Sequence, residues 1–271
     1  MSPERDPVGL AGPRPGDPLL PGEPLSALKR IVRDGQSDLV AVEEPLEIRV
    51  SGEPMAVTMR TPGHDEELAI GFLYGEGLIT EALPAGPPAD LAANAIEVAG
   101  PLAREPATRR FYTTSSCGVC GKGALEEVSV LAPPLPSGPT VARLLLAGLP
   151  ERLVQPGFAR TGGLHATGLF TPGGELVYVR EDVGRHNAMD KVIGRALMDD
   201  RLPLAGFVLC VSGRLSFELV QKAAVAGAPI LVGVGAPTSL AVELATDRGM
   251  TLCGFARGDG VNVYCGAQRV S

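Results

Sequence analysis

Apolar residues recur along this chain in two rhythms, and the change of rhythm marks its organisation. Between residues 37 and 105 they alternate. Leu46-Glu-Ile-Arg-Val50 and Met55-Ala-Val-Thr-Met59 each set apolar side chains two positions apart, with Ser51-Gly-Glu-Pro54 between them. A period of two puts every second side chain on one face, so the stretch predicts a hairpin with one face buried. Residues 39–42 and 95–98 read as further strands. Asp65 caps a helix to about Tyr74, with Leu68, Phe72 and Leu73 at helical spacing.

From Glu175 onward the apolar runs are short and continuous. Residues 176–179, 206–211, 229–234 and 250–255 have strand length and alternate with stretches of helical period. Asn187 caps the first of these helices, which sets Val192, Ile193, Ala196 and Leu197 on one face, and residues 215–226 and 239–248 form the next two. Thr140 caps a shorter helix to Leu149, whereas residues 123–131 fit helix and strand equally. Buried strands alternating with amphipathic helices predict an α/β fold whose largely parallel sheet is covered by helices.

Composition narrows the function. The 271 residues are 45% hydrophobic and 20% charged, so there is material for one large domain or two modest ones. A net charge of −7 excludes a general nucleic-acid binder, whose affinity rests on excess Lys and Arg, and leaves room only for a local basic pocket. No apolar run approaches the roughly 18 residues that span a bilayer, and residues 1–24 lack the apolar centre of a secretory signal. A cytoplasmic protein without a membrane partner is expected. Seven prolines and four glycines among the first 24 residues leave too little apolar surface to order them. The resulting division is a disordered tail over 1–36, an N-terminal α/β unit over 37–105 and a larger domain over 106–271.

Chemistry concentrates in Ser115-Ser-Cys-Gly-Val-Cys-Gly-Lys122. Glycines around Cys117 and Cys120 leave both thiols accessible, and Lys122 favours thiolate over thiol. The spacing alone is open to zinc binding, dithiol exchange and sulfur transfer. Zinc needs about four ligands, usually from two such pairs. Here there is one pair, and Cys210, Cys253 and Cys265 stand isolated in or beside expected strands. A second polar concentration, Arg180-Glu-Asp-Val-Gly-Arg-His-Asn187, joins a strand to a helix and brings Arg180, Arg185 and His186 to a helix start. Ser212 and Arg214 follow the next strand, and Gly254, Phe255, Ala256, Arg257, Gly258 and Asp259 end another. Strand ends that feed helices are where open α/β sheets bind ligands, and guanidinium groups there suit phosphate. His165, behind a glycine pair, reads as a hydrogen-bonded structural residue.

Together these segments resemble the FdhD family, sulfur-carrier proteins required to mature formate dehydrogenase. The resemblance also covers Glu43-Glu-Pro-Leu-Glu-Ile-Arg-Val50, Thr58-Met-Arg-Thr-Pro-Gly-His-Asp65, Thr161-Gly-Gly-Leu-His-Ala166, Asp190-Lys191 and Ala236-Pro-Thr-Ser-Leu-Ala-Val-Glu243. It implies a cytidine-deaminase-like α/β core with a smaller N-terminal unit, usually dimeric. It further implies that a cysteine desulfurase loads sulfur as a persulfide on Cys117, with Cys120 as its partner. The acceptor is the molybdenum or tungsten bis-(molybdopterin guanine dinucleotide) cofactor, before apo-formate dehydrogenase receives it. By the same resemblance residues 254–259 hold that cofactor, or a GDP-like nucleotide in its place, and no permanent metal is implied. Zinc deaminases carry His-x-Glu and then Pro-Cys-x-x-Cys. Here the cysteine pair precedes His165, and His165-Ala-Thr167 lacks the glutamate, so deamination is not expected. Two other readings remain: a non-catalytic cofactor-binding chaperone, and a disulfide reductase.

Overall fold

The structure is a computed structural model that describes residues 27–104, 111–113 (backbone alone), 134–135 and 137–271. The cysteine pair, residues 123–131 and the first 26 residues lie outside the described residues.

The described residues open with a hairpin, β1 (Leu28–Arg33) and β2 (Gln36–Ala41), turned at Asp34 and Gly35 with φ of 51° and 76°. Positive φ at both turn positions is the twist-matched geometry that Asp-Gly favours. This corrects the tail assigned to residues 1–36: its last residues are paired. The Asp-Gly signal lay within reach of the sequence, but the Pro/Gly content upstream masked it. β3 (Glu44–Val50) and β4 (Glu53–Arg60) form the expected hairpin, turned at Ser51 and Gly52. With β5 (Ala85–Gly86), β6 (Ala95–Val98) and β7 (Phe111–Thr113) they complete a sheet of order β5-β6-β3-β4-β7.

Leu46, Ile48 and Val50 point from β3 into a core closed by α1 (Asp65–Gly75), whose Leu68, Ile70 and Leu73 are fully buried. Burial of each such side chain is worth about 1.5–3 kcal/mol. The cap of α1 is His64, not Asp65, and it adopts a left-handed φ of 59°.

The second sheet has the order β13-β12-β11-β10-β8-β9. β8 (His165–Phe170), β9 (Leu176–Asp182), β10 (Val208–Val211), β11 (Ile230–Gly233), β12 (Thr251–Arg257) and β13 (Gly260–Cys265) build it. Only β10, β11 and β12 run parallel; β8, β9 and β13 are antiparallel to their neighbours. The expected mixed α/β class holds, but the sheet is parallel only at its centre. Residues 166–170 are buried in β8, so no polar alternation advertised that strand.

The central strands alternate between two cores. Leu209, Val211, Leu231 and Leu252 face α4 (Arg185–Met198), α5 (Phe217–Val225) and α6 (Ser239–Asp247). Val208, Cys210, Ile230, Val232 and Cys253 face the other side, with Leu146 of α2 (Arg143–Gly148). The short α3 (Pro156–Thr161) lies before β8. Thr140 does not cap α2; Ala142 does, without a side-chain bond.

The two units meet where α1 crosses α4. A Cβ on Gly71 would stand 1.8 Å from the backbone oxygen of Asp190, and one on Gly194 would stand 1.9 Å from that of Glu67. The backbones touch because neither position has a side chain.

Candidate functional site

β9 ends at Asp182, and Val183-Gly184 lead into α4. Asp182 is completely buried yet fully engaged. One carboxylate oxygen accepts from the Gly184 amide at 2.8 Å and from Asn187 Nδ2 at 3.0 Å. The other accepts from the Thr61 amide at 3.1 Å and pairs with Lys191 Nζ at 2.7 Å. Lys191 also donates to the Thr61 carbonyl at 2.9 Å. Asn187 was expected to cap α4. Instead Gly184 stands at the cap, while Asn187 donates to the Met59 carbonyl at 2.7 Å and accepts from Thr58 Oγ1 at 3.1 Å. A bond across to β4 has displaced the local one. Thr58 is the register partner of Thr113, the last described residue before the cysteine segment. Thr113 is four positions before Cys117 in sequence.

Arg180 is spent in the same seam. It grips Glu67 of α1 through two nitrogens, at 2.5 and 2.7 Å, so it is not free for an anionic ligand. A cavity of about 360 Å³ opens beside it, lined by Thr61, His64, Leu164, Tyr178 and Glu181. Burial and the nearby Arg180 and Lys191 hold the His64 imidazole below its ordinary value. Glu181 accepts from the amides of Gly157 and Phe158, so this cavity's carboxylate is also occupied.

The other expected residues gather at the carboxyl ends of β10, β11 and β12. Three turns lie side by side: the Gly235 amide donates to the Gly213 carbonyl at 3.0 Å, and the Phe255 amide donates to the Gly235 carbonyl at 3.2 Å. Their spacing requires glycine, because a Cβ on Gly235 would stand 2.9 Å from Arg214 Cα and one on Gly254 would stand 2.9 Å from the Gly235 oxygen. Ser212 Oγ accepts from the Ala166 amide at 2.8 Å and holds β8 to this edge. His186 Nε2 pairs with Glu218 at 2.8 Å, a bond that keeps the Glu218 carboxyl below its ordinary range.

Arg185 and Arg214 differ from every cation described so far. Among the described residues neither has a carboxylate at ion-pair distance, and Arg185 Nε is buried without a hydrogen bond. A buried donor left unmatched is costly unless something completes it. His165 lies against the same edge, with Nδ1 3.4 Å from the place a Cβ on Gly213 would take. Burial first, and then Arg185, His186 and Arg214, hold its imidazole below the ordinary value, with Asp182 opposing them.

Residues 254–259 divide. Gly254 and Ala256 are buried, and Ala256 belongs to the sheet core. Phe255 is 51% exposed, with φ of 54°, an unusual conformation for a bulky side chain. Arg257, Gly258 and Asp259 are exposed at the turn into β13, where the Gly258 amide donates to Glu151 at 3.1 Å. Sequence reasoning missed Thr58, Thr61, Asp182 and Gly235, whose roles depend on partners far along the chain.

The remaining thiols are poor nucleophiles. Burial pushes Cys210 far above its ordinary value and Cys253 up to about 12, and Cys265 is raised too, with Sγ 3.3 Å from the Met250 carbonyl. Among the described residues no group of three or more His, Cys, Asp or Glu side chains is placed to hold a metal ion. No described helix is long and apolar enough to cross a membrane.

Comparison with known proteins gives one consistent result. A model of the FdhD/NarQ family matches residues 41–271. The chain is 52% identical over 262 residues to the sulfur carrier protein FdhD of Streptomyces coelicolor, covering 89% of this chain and 93% of that one. It is 50% identical to the protein of the same name from Mycobacterium tuberculosis, with 91% and 96% covered, and 46% identical to that from Saccharolobus solfataricus, with 86% and 91% covered. A crystal structure assigned as a candidate formate dehydrogenase accessory protein, from Desulfotalea psychrophila, superposes with a TM-score of 0.71. It is 27% identical and covers 92% of this chain and all of that one.

Proposed function

The chain belongs to the FdhD/NarQ family, and we propose that it is a sulfurtransferase serving formate dehydrogenase. In this reading Cys117 accepts sulfur from a cysteine desulfurase. Its thiolate attacks the donor's persulfide, the S–S bond there breaks, and the terminal sulfur becomes a persulfide on Cys117 while the donor leaves as thiolate. Cys120 then attacks the Cys117 sulfur, hydrosulfide leaves towards the acceptor, and a thiol reductant restores the pair. The acceptor is the bis-(molybdopterin guanine dinucleotide) cofactor, handled here as substrate and passed to apo-formate dehydrogenase.

The observation that carries this reading is the strand edge where, among the described residues, Arg185 and Arg214 lack carboxylate partners beside a floor of glycine turns. Two guanidinium groups at a helix start suit a pyrophosphate. Phe255, exposed in the neighbouring turn, offers a flat face for guanine. The high pKa of Cys210, Cys253 and Cys265 supports leaving sulfur chemistry to Cys117 and Cys120.

Intact-mass measurement after incubation with a cysteine desulfurase and cysteine tests the transfer. The wild type should gain the mass of one sulfur atom and Cys117→Ala should not; an unchanged wild-type mass would remove the sulfurtransferase reading. A pure disulfide reductase would lose two hydrogen atoms (two protons and two electrons) on oxidation and gain no sulfur. A cofactor-binding chaperone would bind GDP in both proteins and carry sulfur in neither.

A further inference from the structure

His165 stands inside the cationic edge without an assigned task. It opens β8 directly across the ladder from Asp182 of β9, and the Gly213 turn lies against its ring. Arg185 and His186 of α4 and Arg214, next to Gly213 in the turn after β10, act electrostatically on its ring. Glu218 of α5 is engaged by His186, and Asp182 is engaged by Thr61, Gly184, Asn187 and Lys191. Among the described residues the imidazole makes no side-chain hydrogen bond of its own. Among the described residues neither Arg185 nor Arg214 has a carboxylate at ion-pair distance, and Arg185 Nε is buried without a hydrogen bond.

We propose that His165 takes up a proton when the anionic end of a nucleoside diphosphate group enters between Arg185 and Arg214, so that a neutral ring becomes a third cationic donor to the ligand. The inference rests on the reading that this strand edge binds the guanine-dinucleotide ligand.

The physical reason is a reversal of field. Before a ligand enters, partial burial is the first penalty on an imidazolium, and the neighbouring guanidinium groups add repulsion. A pyrophosphate brings negative charge to the same neighbourhood, cancels the repulsion and offers hydrogen-bond acceptors to the protonated ring. The proton comes from solvent and remains on the imidazole while the ligand stays bound; no bond to the ligand forms or breaks. The sign follows from linkage. The contribution to affinity is fully present below the free ring's pKa and is lost as pH rises through the higher value in the complex. A permanent third cation would carry that repulsion in the free protein, which a neutral histidine avoids.

Calorimetric titration of GDP into the full chain near neutral pH, in buffers of different ionisation enthalpy, counts the protons exchanged. The wild type should take up a few tenths of a proton more per GDP than His165→Gln, whereas His64→Gln, whose ring lines the other cavity, should match the wild type. Protonation of GDP itself is common to all three and cancels in the difference. If His165→Gln folds poorly, the wild-type imidazole resonance titrated with and without GDP answers alone, and its midpoint should move upward on binding. Equal proton uptake in wild type and His165→Gln, or an unmoved midpoint, overturns the proposal while leaving GDP binding intact. Absence of GDP binding by the wild type overturns both the proposal and the cofactor reading beneath it.

Discussion

Helix α4 begins within two polar clusters that use similar residues to opposite ends. On the side facing the N-terminal unit, Asp182, Asn187 and Lys191 meet Thr58 and Thr61, and each donor in that set has its acceptor. Lys191 and Asp182 retain 1% and 0% of their side-chain exposure. On the side facing the sheet edge, Arg185 and Arg214 have no carboxylate partner, and Arg185 Nε has no hydrogen bond among the described residues. A closed network of buried charges specifies how two units fit together. An open one costs stability, and such a cost is tolerated where a ligand completes it. Charge is present in both, but the closed cluster is buried throughout, whereas on the open side Arg185 is half-buried and Arg214 exposed.

The strongest test of this contrast is at the closed side. Lys191→Met removes one member of a buried pair and leaves Asp182 without its cation. A loss of about 3–5 kcal/mol is expected in denaturant unfolding, and a loss under about 1 kcal/mol would show that the seam is not paired as described. Next comes the helix crossing that holds the seam. Gly194→Ala places a Cβ on the Glu67 carbonyl, so the helices must part, with an expected cost of about 1–3 kcal/mol or more and a lower midpoint of thermal unfolding. At the open side the expectation inverts. Arg214→Ala should change stability by no more than about 0.5 kcal/mol, because no partner is stranded. It should weaken GDP binding about tenfold, read by the same calorimetry.

The smallest expected effect concerns pH. His64 and His165 are both held below the ordinary histidine value, chiefly by burial. The folded protein therefore binds fewer protons at these rings than the unfolded chain. Their penalty is absent above the unfolded pKa and grows as pH falls through the window between unfolded and folded values. Thermal stability should fall on acidification below about pH 6.5, the ordinary histidine value. His165→Gln should flatten part of that slope, and an unaltered slope would show that this ring is not the one titrating.

Much of this architecture was readable before any coordinates. The hairpin of β3 and β4, the helices α5 and α6, and the strands β10, β11 and β12 follow directly from apolar periodicity, because each buries a local pattern against a broad core. What escaped the reading involves long sequence separation. Asn187 looked like a helix cap, and only the approach of Thr58, 129 positions away, shows why it turns outward. β8 was hidden because it is buried on both faces, and its antiparallel pairing with β10 and β9 was hidden with it. Arg180 had the composition of an anion-binding residue, yet Glu67, 113 positions away, claims it.

By itself the sequence determined the α/β class and the strand-end arginines as candidate ligands, and its resemblance to a known family made the pair Cys117 and Cys120 the candidate sulfur carrier. The first two depend on residue type, spacing and local pattern, which the chain carries everywhere along its length; the third depends on long motifs in one order. Only the tertiary structure decided which of the arginines remain uncompensated. It buried Cys253 in the sheet, assigned Arg180 to Glu67, left Arg185 and Arg214 without a carboxylate partner among the described residues, and set His165 at the same edge. Compensation is a property of neighbours in space, and a charge whose partner lies a hundred residues away is indistinguishable in sequence from one that waits for a ligand.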